Sequence, residues 1–174
     1  MSNVVLVGFM GTGKSAVGRL LSRRLKFSFV DLDERIAREA KRSIPEIFAS
    51  EGEAGFRKWE SEAVEWASGL KDHVIATGGG VMLDEANVTR LKKSGLLVCL
   101  SARPDIIVHR TLNTLPSRPL LNGPDPRAKV EELLELRSPF YALADRTVDT
   151  SDRSIEQVVE QILKEIEEWK LEKR

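Results

Sequence analysis

The sequence predicts an α/β fold: a three-layer α/β/α sandwich around a five-stranded parallel sheet. First, short apolar runs alternate with segments of helical periodicity along the chain. Second, the first of these runs, at residues 3–7, is continuously apolar after Asn3, as in strands that are buried on both faces. Third, Gly-rich or acidic clusters follow the strands. Because ligands of parallel sheets gather at the carboxyl ends of the strands, we expect a single site there.

Composition narrows the class of protein. The chain has 174 residues, and we predict a single domain over residues 1–174. Hydrophobic residues make up 41% of the chain, which excludes intrinsic disorder as its main state. The 27 basic residues equal the 27 acidic ones, so no basic excess favours binding to nucleic acid or to a membrane surface. The single cysteine, Cys99, excludes an internal disulfide framework. We expect a monomeric cytoplasmic protein with small-molecule partners.

The first half of the chain contains three predicted strands, at residues 3–7, 29–30 and 73–76. A Gly-rich turn follows the first strand, and apolar residues then recur at helical spacing as far as Leu25. Residues 34–70 are predicted to be helical in several pieces, with Pro45 and Gly52 as punctuation.

The second half adds strands at residues 96–100 and 146–149, with helices over 84–92 and 104–111 around the first of them. Asp125 and Pro126 suit the start of another helix, which Pro139 must break or kink. A capping box at Ser154 and Gln157 opens the last helix. Residues 112–124 lose all periodicity and are rich in proline, which predicts a mobile lid.

A phosphate-binding loop is predicted between the first strand and the first helix. The segment from Gly8 to Ser15 matches the pattern G-x-x-x-x-G-K-[ST]. Backbone N–H groups in such a turn bind phosphate oxygens, and the helix N-terminus adds its positive dipole end. Lys14 would reach the β- and γ-phosphates, and the Ser15 hydroxyl would coordinate Mg²⁺. The alternative is a Gly-rich turn that matches by chance, which the flanking strand and helix disfavour.

Two aspartates, Asp31 and Asp33, follow the second strand. At positions i and i+2 of an extended segment, both carboxylates would point to the same face. One could help to hold Mg²⁺, and the other could accept a proton from a substrate hydroxyl. The alternative is a solvated strand end or a helix N-cap, since Asp suits both positions.

Three further clusters could bind an anion. Arg57 precedes Glu60 by three residues, so Glu60 can orient the guanidinium; the alternative is an ordinary surface ion pair. The run Gly78-Gly79-Gly80 follows the third strand. Three consecutive glycines cost conformational entropy, so they indicate close packing or contact with a ligand at this position. Arg118 in the lid and Arg137 beyond it suit the charge that develops on a transferring phosphoryl group. Either arginine alone would be interpreted as solvated charge.

Together these motifs resemble the shikimate kinase family, in the nucleoside-monophosphate-kinase-like branch of P-loop kinases. The resemblance runs over nearly the whole chain and depends on an ordered set: Asp31-x-Asp33, Gly-Glu-x-x-Phe56-Arg57-x-x-Glu60, Gly78-Gly-Gly80, Arg118-Pro-Leu-Leu and Arg137-x-Pro-x-Tyr141. It implies a fold of the P-loop kinase type with a helical substrate-binding insertion and a mobile lid. It also implies ATP-dependent phosphorylation of the 3-hydroxyl of shikimate, with Mg²⁺ as cofactor, in aromatic amino-acid biosynthesis.

The resemblance also implies a role for individual residues. Asp33 would orient the reacting hydroxyl and act in catalysis with Lys14 and Arg118, and Asp31 would support Mg²⁺ together with Ser15. Helices over residues 34–60 would cover shikimate, whose contacts would be Asp33, Arg57, Gly78, Gly79, Gly80 and Arg137, with apolar walls at Phe48 and Phe56. The nucleotide would contact Gly11, Thr12, Gly13, Lys14, Ser15, Ala16, Arg110, Arg118 and Arg153. Of these, Arg110 and Arg153 would flank the adenine.

The sequence departs from the family pattern in the lid, where Ser117 precedes the lid arginine and many members have Gly. This departure bears on lid motion more than on chemistry. The nearest alternative is another small-molecule kinase of the same branch, such as a gluconate kinase, which has no obvious need for two arginines at a ring carboxylate. Two further alternatives are a regulatory nucleotide-binding relative, which would usually lack a charged residue, and a plain α/β scaffold, which requires an accidental phosphate loop.

Overall fold

The central sheet has five parallel strands, as the sequence predicts. The computed structural model describes residues 2–112, 119–121 and 123–173. Its strands are β1 (Asn3–Val7), β2 (Ser28–Asp31), β3 (His73–Ala76), β4 (Gly95–Ser101) and β5 (Arg146–Asp149), in the order β2-β3-β1-β4-β5 across the sheet. Val5 of the central strand lies opposite Ile75 of β3 and Leu97 of β4. The loops that follow β1 and β3 therefore begin side by side at one edge.

Helices cover both faces of the sheet and confirm the predicted three layers. They are α1 (Lys14–Leu25), α2 (Leu32–Ala40), α3 (Ile44–Ser68), α4 (Glu85–Ser94), α5 (Pro104–Thr111), α6 (Pro126–Tyr141) and α7 (Ile155–Glu172). Val5 and Val7 pack with α2, α3 and α4 in one apolar cluster, whereas Val4 and Leu6 pack with α1 and α7 in a second. Because successive side chains of β1 enter opposite clusters, its sequence is apolar at every position from Val4 to Val7. Burial of each such Val or Leu stabilises the fold by about 1.5–3 kcal/mol.

The connection after β2 differs from the sequence prediction. Asp33 is not in an extended segment, because β2 ends at Asp31 and Asp33 lies in the first turn of α2. The Asp31 side chain accepts hydrogen bonds from the backbone N–H groups of Asp33 (3.0 Å) and Glu34 (3.2 Å). This N-cap satisfies two amides that a new helix leaves without an intrahelical partner, so the chain turns into α2 directly after Asp31.

Gly52 and Pro45 act on α3 as predicted, and of the predicted break or kink at Pro139 the structure shows no break in α6. Gly52 interrupts α3 with φ 70° and ψ −177°, and Pro45 lies in the first turn of that helix, where its missing N–H costs no bond. By contrast, α6 does not break at Pro139 but continues to Tyr141. Pro139 therefore falls in the last turn of the helix. The predicted capping box of Ser154 and Gln157 opens α7.

The predicted lid is described only in part. Residues 119–121 form a short 3₁₀ turn, and Leu121 is buried in an apolar cluster with Phe9, Ile107 and Val130. Residues 113–118 and 122 lie outside the described residues, and with them Arg118, so the lid remains a prediction. Among the described residues, no helix is both long and apolar enough to cross a membrane.

Candidate active site

The loop between β1 and α1 has backbone conformations that favour glycine. Gly11 and Gly13 have φ values of 76° and 98°, in the region where an L side chain is strained. A Cβ on Gly8 would lie 2.2 Å from the carbonyl oxygen of Leu100, so this glycine allows the loop to pack directly on β4. Gly13 caps α1 without a side chain, which leaves the N–H groups of the first turn uncovered by the cap. A phosphate is the ligand that such a helix start binds.

Lys14 lies over this loop. Its Nζ donates hydrogen bonds to the carbonyl oxygens of Gly8 (2.7 Å) and Phe9 (2.8 Å). Beside it is a cavity of about 470 Å³, here called the phosphate cavity, whose lining includes Gly11, Gly13, Lys14, Ser15, Ala16, Asp31, Asp33 and Arg110. Thr12 is buried and its hydroxyl donates to the Phe9 carbonyl (2.7 Å), so its side chain braces the loop.

Ser15 and Asp31 meet at the phosphate cavity. The Ser15 hydroxyl donates to Oδ2 of Asp31, while Oδ1 of the same carboxylate caps α2. Hydroxyl and carboxylate oxygens are ligands that Mg²⁺ accepts, and this ion commonly keeps several waters and is shared with substrate phosphates. The residues present therefore fit Mg²⁺. The described residues contain no group of three or more His, Cys, Asp or Glu side chains that could hold a metal. Protein side chains alone would therefore not complete the coordination of the ion here.

A second cavity, of about 100 Å³, adjoins the first. We call it the arginine cavity because its lining includes Arg57 and Arg137, together with Asp33, Phe48, Phe56, Glu60 and the three glycines after β3. The two aromatic rings have centroids 4.8 Å apart and form an apolar wall. The linings of both cavities include Asp33 and Gly79, so these residues lie at their boundary.

At Gly78 and Gly80 the absence of a Cβ lets charged side chains approach the backbone closely. None of Gly78, Gly79 and Gly80 has a positive φ. A Cβ on Gly80 would lie 2.3 Å from Nη1 of Arg57, and one on Gly78 would lie 2.4 Å from Oε1 of Glu60 and 2.9 Å from Oδ1 of Asp33. The run therefore gives charged groups from α2 and α3 access to the backbone, which is a packing reason of the kind the sequence predicts.

Glu60 holds one arginine of this cavity. Its Oε2 accepts a hydrogen bond from Nη1 of Arg57, and Glu53 accepts another from Nη2 (2.8 Å). The side chain of Glu60 is buried, and burial raises the pKa of this carboxyl to about 7 against the attraction of Arg57. The Arg57–Glu60 pair is thus not the ordinary surface ion pair that was the alternative.

Oε1 of Glu60 and Nη1 of Arg137 are buried at this cavity and have no hydrogen-bond partner among the described residues. Arg137 is only 4% exposed, and its guanidinium carbon lies 5.5 Å from the centre of the Phe9 ring. Burying a guanidinium N–H without a partner is costly, so a bound anion that accepts from Arg137 would remove this cost.

Tyr141 contacts the glycine run, and the sequence alone indicates no role for it. Its hydroxyl donates to the carbonyl oxygen of Gly79 (2.6 Å), which ties the end of α6 to the glycine run. Burial raises the pKa of this hydroxyl to about 12, so it remains a proton donor at neutral pH. The motif Arg137-x-Pro-x-Tyr141 contains the residue, but its partner is 62 positions away and the local sequence gives no signal of it.

The two residues predicted to contact adenine, Arg110 and Arg153, differ in their surroundings. Arg110 of α5 donates to the carbonyl oxygens of Gly11 (3.3 Å) and Thr150 (2.7 Å), and it lines the phosphate cavity. Arg153 lies in the loop after β5 and is exposed, and it lines neither cavity. An adenine contact for either residue remains a prediction.

Comparison with known proteins identifies relatives of this chain. The family model described as shikimate kinase matches residues 10–167. A shikimate kinase of Caldanaerobacter subterraneus subsp. tengcongensis is 48% identical over 94% of this chain and 95% of its own length. A shikimate kinase of Thermodesulfovibrio yellowstonii is 46% identical and covers 96% of each chain.

Solved structures agree with the sequence relatives. A shikimate kinase from Acinetobacter baumannii in complex with shikimate superposes with a TM-score of 0.94, at 37% identity, over 98% of this chain and 96% of its own. A gluconokinase from Sinorhizobium meliloti superposes with a TM-score of 0.63 over 99% and 98% of the two chains. Because its identity is 16%, this second likeness concerns the fold alone.

Proposed function

The chain belongs to the shikimate kinase family, and we propose that it transfers the γ-phosphoryl group of ATP to the 3-hydroxyl of shikimate, giving shikimate 3-phosphate and ADP. The observation that carries the proposal is the position of Asp33 at the boundary of the phosphate and arginine cavities. A hydroxyl held there lies between a loop suited to phosphates and a pair of arginines suited to a carboxylate. The predicted family and kinase class follow from the matches over nearly the full chain.

The phosphate cavity supplies the donors for the nucleotide. Backbone N–H groups of the loop and the start of α1 would bind phosphate oxygens, with Lys14 at the β- and γ-phosphates. Lys14 is within reach because its ammonium already lies against the loop, bonded to the carbonyls of Gly8 and Phe9. Arg110 fixes the loop from the other side through Gly11. Donors that are held in place before the reaction cost little reorganisation when charge develops.

Ser15 and Asp31 would hold Mg²⁺, since their side-chain oxygens already meet at this cavity. When bound, the ion neutralises charge on the phosphates. Asp31 also caps α2, so the residue that would support the ion fixes the first turn of the helix that carries Asp33. One local structure would thus position both the residues proposed to hold Mg²⁺ and the aspartate proposed to bind the hydroxyl.

The arginine cavity would bind the carboxylate of shikimate. A guanidinium presents a planar fork of N–H donors that matches a carboxylate, and two such groups line the cavity. Glu60 orients Arg57, while Arg137 presents a buried nitrogen that has no partner among the described residues. The Phe48–Phe56 wall would exclude water from one face of the substrate ring.

Asp33 would hydrogen-bond the 3-hydroxyl and accept its proton. The transition state of phosphoryl transfer is mostly loose, so the proton can leave late and positioning contributes more than basicity. Closure of the lid would bring Arg118 to the phosphates and exclude water. The roles of Arg118 and Arg153, the cytoplasmic location and the monomeric state remain predictions.

Measurement of ADP release tests this proposal. ATP and Mg²⁺ are supplied with shikimate, gluconate, a nucleoside monophosphate, or water alone, and we expect release only with shikimate. Release with gluconate instead would overturn the roles of Arg57 and Arg137 while keeping that of the phosphate loop. Nucleotide binding with no release for any acceptor would favour a regulatory relative.

A further inference from the structure

A third cavity lies at the other end of the sheet, and the proposed reaction does not use it. It is bounded by the amino ends of β1 and β4, at Asn3 and Gly95, and by the carboxyl ends of α1, α4 and α7. Its volume is about 690 Å³, larger than that of either the phosphate cavity or the arginine cavity. The reaction takes place at the carboxyl ends of the strands, so this cavity is separate from the active site.

The floor of this cavity is apolar. Phe27 and Trp169 line it together with Leu96 and Ile166, and both aromatic side chains are only half-buried. Leu96 and Ile166 belong to the apolar cluster on the α1 and α7 face of the sheet. The cavity thus opens the edge of that cluster to solvent beside two aromatic rings, and Nζ of Lys173 lies 5.2 Å from the centre of the Trp169 ring.

The rim of the cavity is cationic, and we call the whole feature the lysine pocket. Its charged lining residues are Lys92, Lys93, Lys170 and Lys173, and no Asp or Glu is present among the described residues that line it. Lys92 has a distant acidic neighbour, with Nζ 3.9 Å from Asp145. Lys93, Lys170 and Lys173 take part in none of the ion pairs between described residues. This excess of positive charge is local, because the whole chain has a net charge of zero.

Helix capping alone does not account for this rim. Lys92 and Lys93 lie in the last turn of α4, and Lys170 lies in the last turn of α7, where cations stabilise the helix dipole. A helix end carries the equivalent of only about half a negative charge, so four ammonium groups exceed what these ends neutralise. Capping also gives no reason for an open apolar floor between the lysines.

We propose that the lysine pocket binds a small organic anion with a planar apolar body, of the aromatic carboxylate class. The ring would pack on Phe27 and Trp169, and the carboxylate would accept from Lys93 and Lys170 on the rim. The cationic rim and the apolar floor together favour a ligand that has both an anionic group and an apolar ring. An inorganic anion would leave the floor exposed to water, and a neutral aromatic molecule would make no charged contact with the lysines.

Binding of a matched pair of probes tests the proposal. 1-Naphthoate is titrated into the full chain, with 1-naphthalenemethanol as its neutral counterpart, and the indole N–H signals of Trp59, Trp66 and Trp169 are followed by NMR. We expect naphthoate to shift the Trp169 signal saturably and to bind at least about tenfold more tightly than the alcohol, because charge-assisted contacts are lost with the latter. Saturating ATP and shikimate should leave this binding in place.

Two double variants with the same change of net charge complete the test. Lys93→Gln/Lys170→Gln should weaken naphthoate about tenfold or more, whereas Lys129→Gln/Lys164→Gln, at lysines outside the pocket, should leave affinity within about twofold. Equal weakening in both variants, equal affinity for the alcohol, or a shift confined to Trp59 or Trp66 would overturn the proposal. So would a concentration-dependent dimer, detected by light scattering, that the Lys93→Gln/Lys170→Gln variant abolishes, since a second copy would then occupy the pocket.

Discussion

The phosphate cavity and the arginine cavity adjoin each other but are built in different ways. Half of the residues that line the first come from one contiguous segment, Met10 to Ala16, and this half includes Lys14 and Ser15. The second consists of side chains that arrive from α2, α3, α6 and the glycine run after β3. A local motif therefore contributes half of the phosphate cavity, while tertiary packing brings together nearly all of the arginine cavity. This difference predicts which substitutions affect the nucleotide, which affect the acceptor, and which affect both.

The largest effect is expected at Lys14, the main cation of the phosphate cavity. Lys14→Ala should lower kcat by about 10³–10⁵-fold, the range for a cation that contacts the transferring phosphoryl group. Shikimate affinity measured without nucleotide should be unchanged, because Lys14 does not line the arginine cavity. Calorimetry and ADP release measure the two quantities, with exposed Lys164→Ala as the control. A weaker shikimate complex would contradict the separation of the cavities.

Substitution of Asp33 should affect function at both cavities, since this residue lies at their boundary. Asp33→Asn keeps the shape of the side chain and should lower kcat by about 10²–10⁴-fold, the range for loss of a positioned proton acceptor. The matched variant is Asp31→Asn, whose rate should recover in part at high Mg²⁺ because that residue would support the ion. Recovery of Asp33→Asn by Mg²⁺, or a rate that survives the change, would leave Asp33 with a structural role only.

Arg57→Ala should affect the acceptor alone. The pair at issue is Arg57 with the carboxylate of shikimate. Removal of one member of a buried charge pair costs about 2–5 kcal/mol of binding free energy, which corresponds to a rise in the KM for shikimate of about 30-fold or more. Arg57→Lys, which keeps the charge opposite Glu60 but loses the planar fork, should fall between the wild type and Arg57→Ala. Steady-state kinetics with each substrate varied in turn make the measurement. An equal rise in the KM for ATP would show that the two cavities are not independent.

The protonation of Glu60 should make the free energy of unfolding depend on pH. Burial raises the pKa of Glu60 to about 7 from 4.5, so between these values the folded state binds more protons than the unfolded state. The contribution of this group to the free energy of unfolding is therefore greatest below pH 4.5, and it is lost as the pH rises through 7. Glu60→Gln removes the titration, and the difference in free energy of unfolding between wild type and variant should change by about 3 kcal/mol across this interval. Chemical denaturation at several pH values measures it, with exposed Glu62→Gln as control; parallel pH profiles of the wild type and Glu60→Gln would contradict it.

The same contrast explains how far the sequence could predict the site. The phosphate loop, the five strands and the caps of α6 and α7 depend on residues within a few positions of each other, and all were predicted. The sequence predicts an extended backbone at Asp33, which is wrong, because Asp31 suits both a strand end and an N-cap. The acidic residues Asp33 and Glu34 just after it favour the start of a helix. The close approaches of Glu60 to Gly78 and of Tyr141 to Gly79 span 18 and 62 positions and arise only when the chain has folded.

The smallest effect is expected at Tyr141, and it should be shared between the cavities. Tyr141→Phe removes the hydrogen bond to the Gly79 carbonyl, a contribution of about 1 kcal/mol. Because Gly79 lines both cavities, the KM values for ATP and for shikimate should rise together, by about two- to fivefold, with kcat nearly unchanged. Ser138→Ala, an exposed change on the same helix, is the control. A rise confined to the KM for shikimate would show that Tyr141 acts on the arginine cavity alone and that its hydrogen bond to the Gly79 carbonyl does not affect the phosphate cavity.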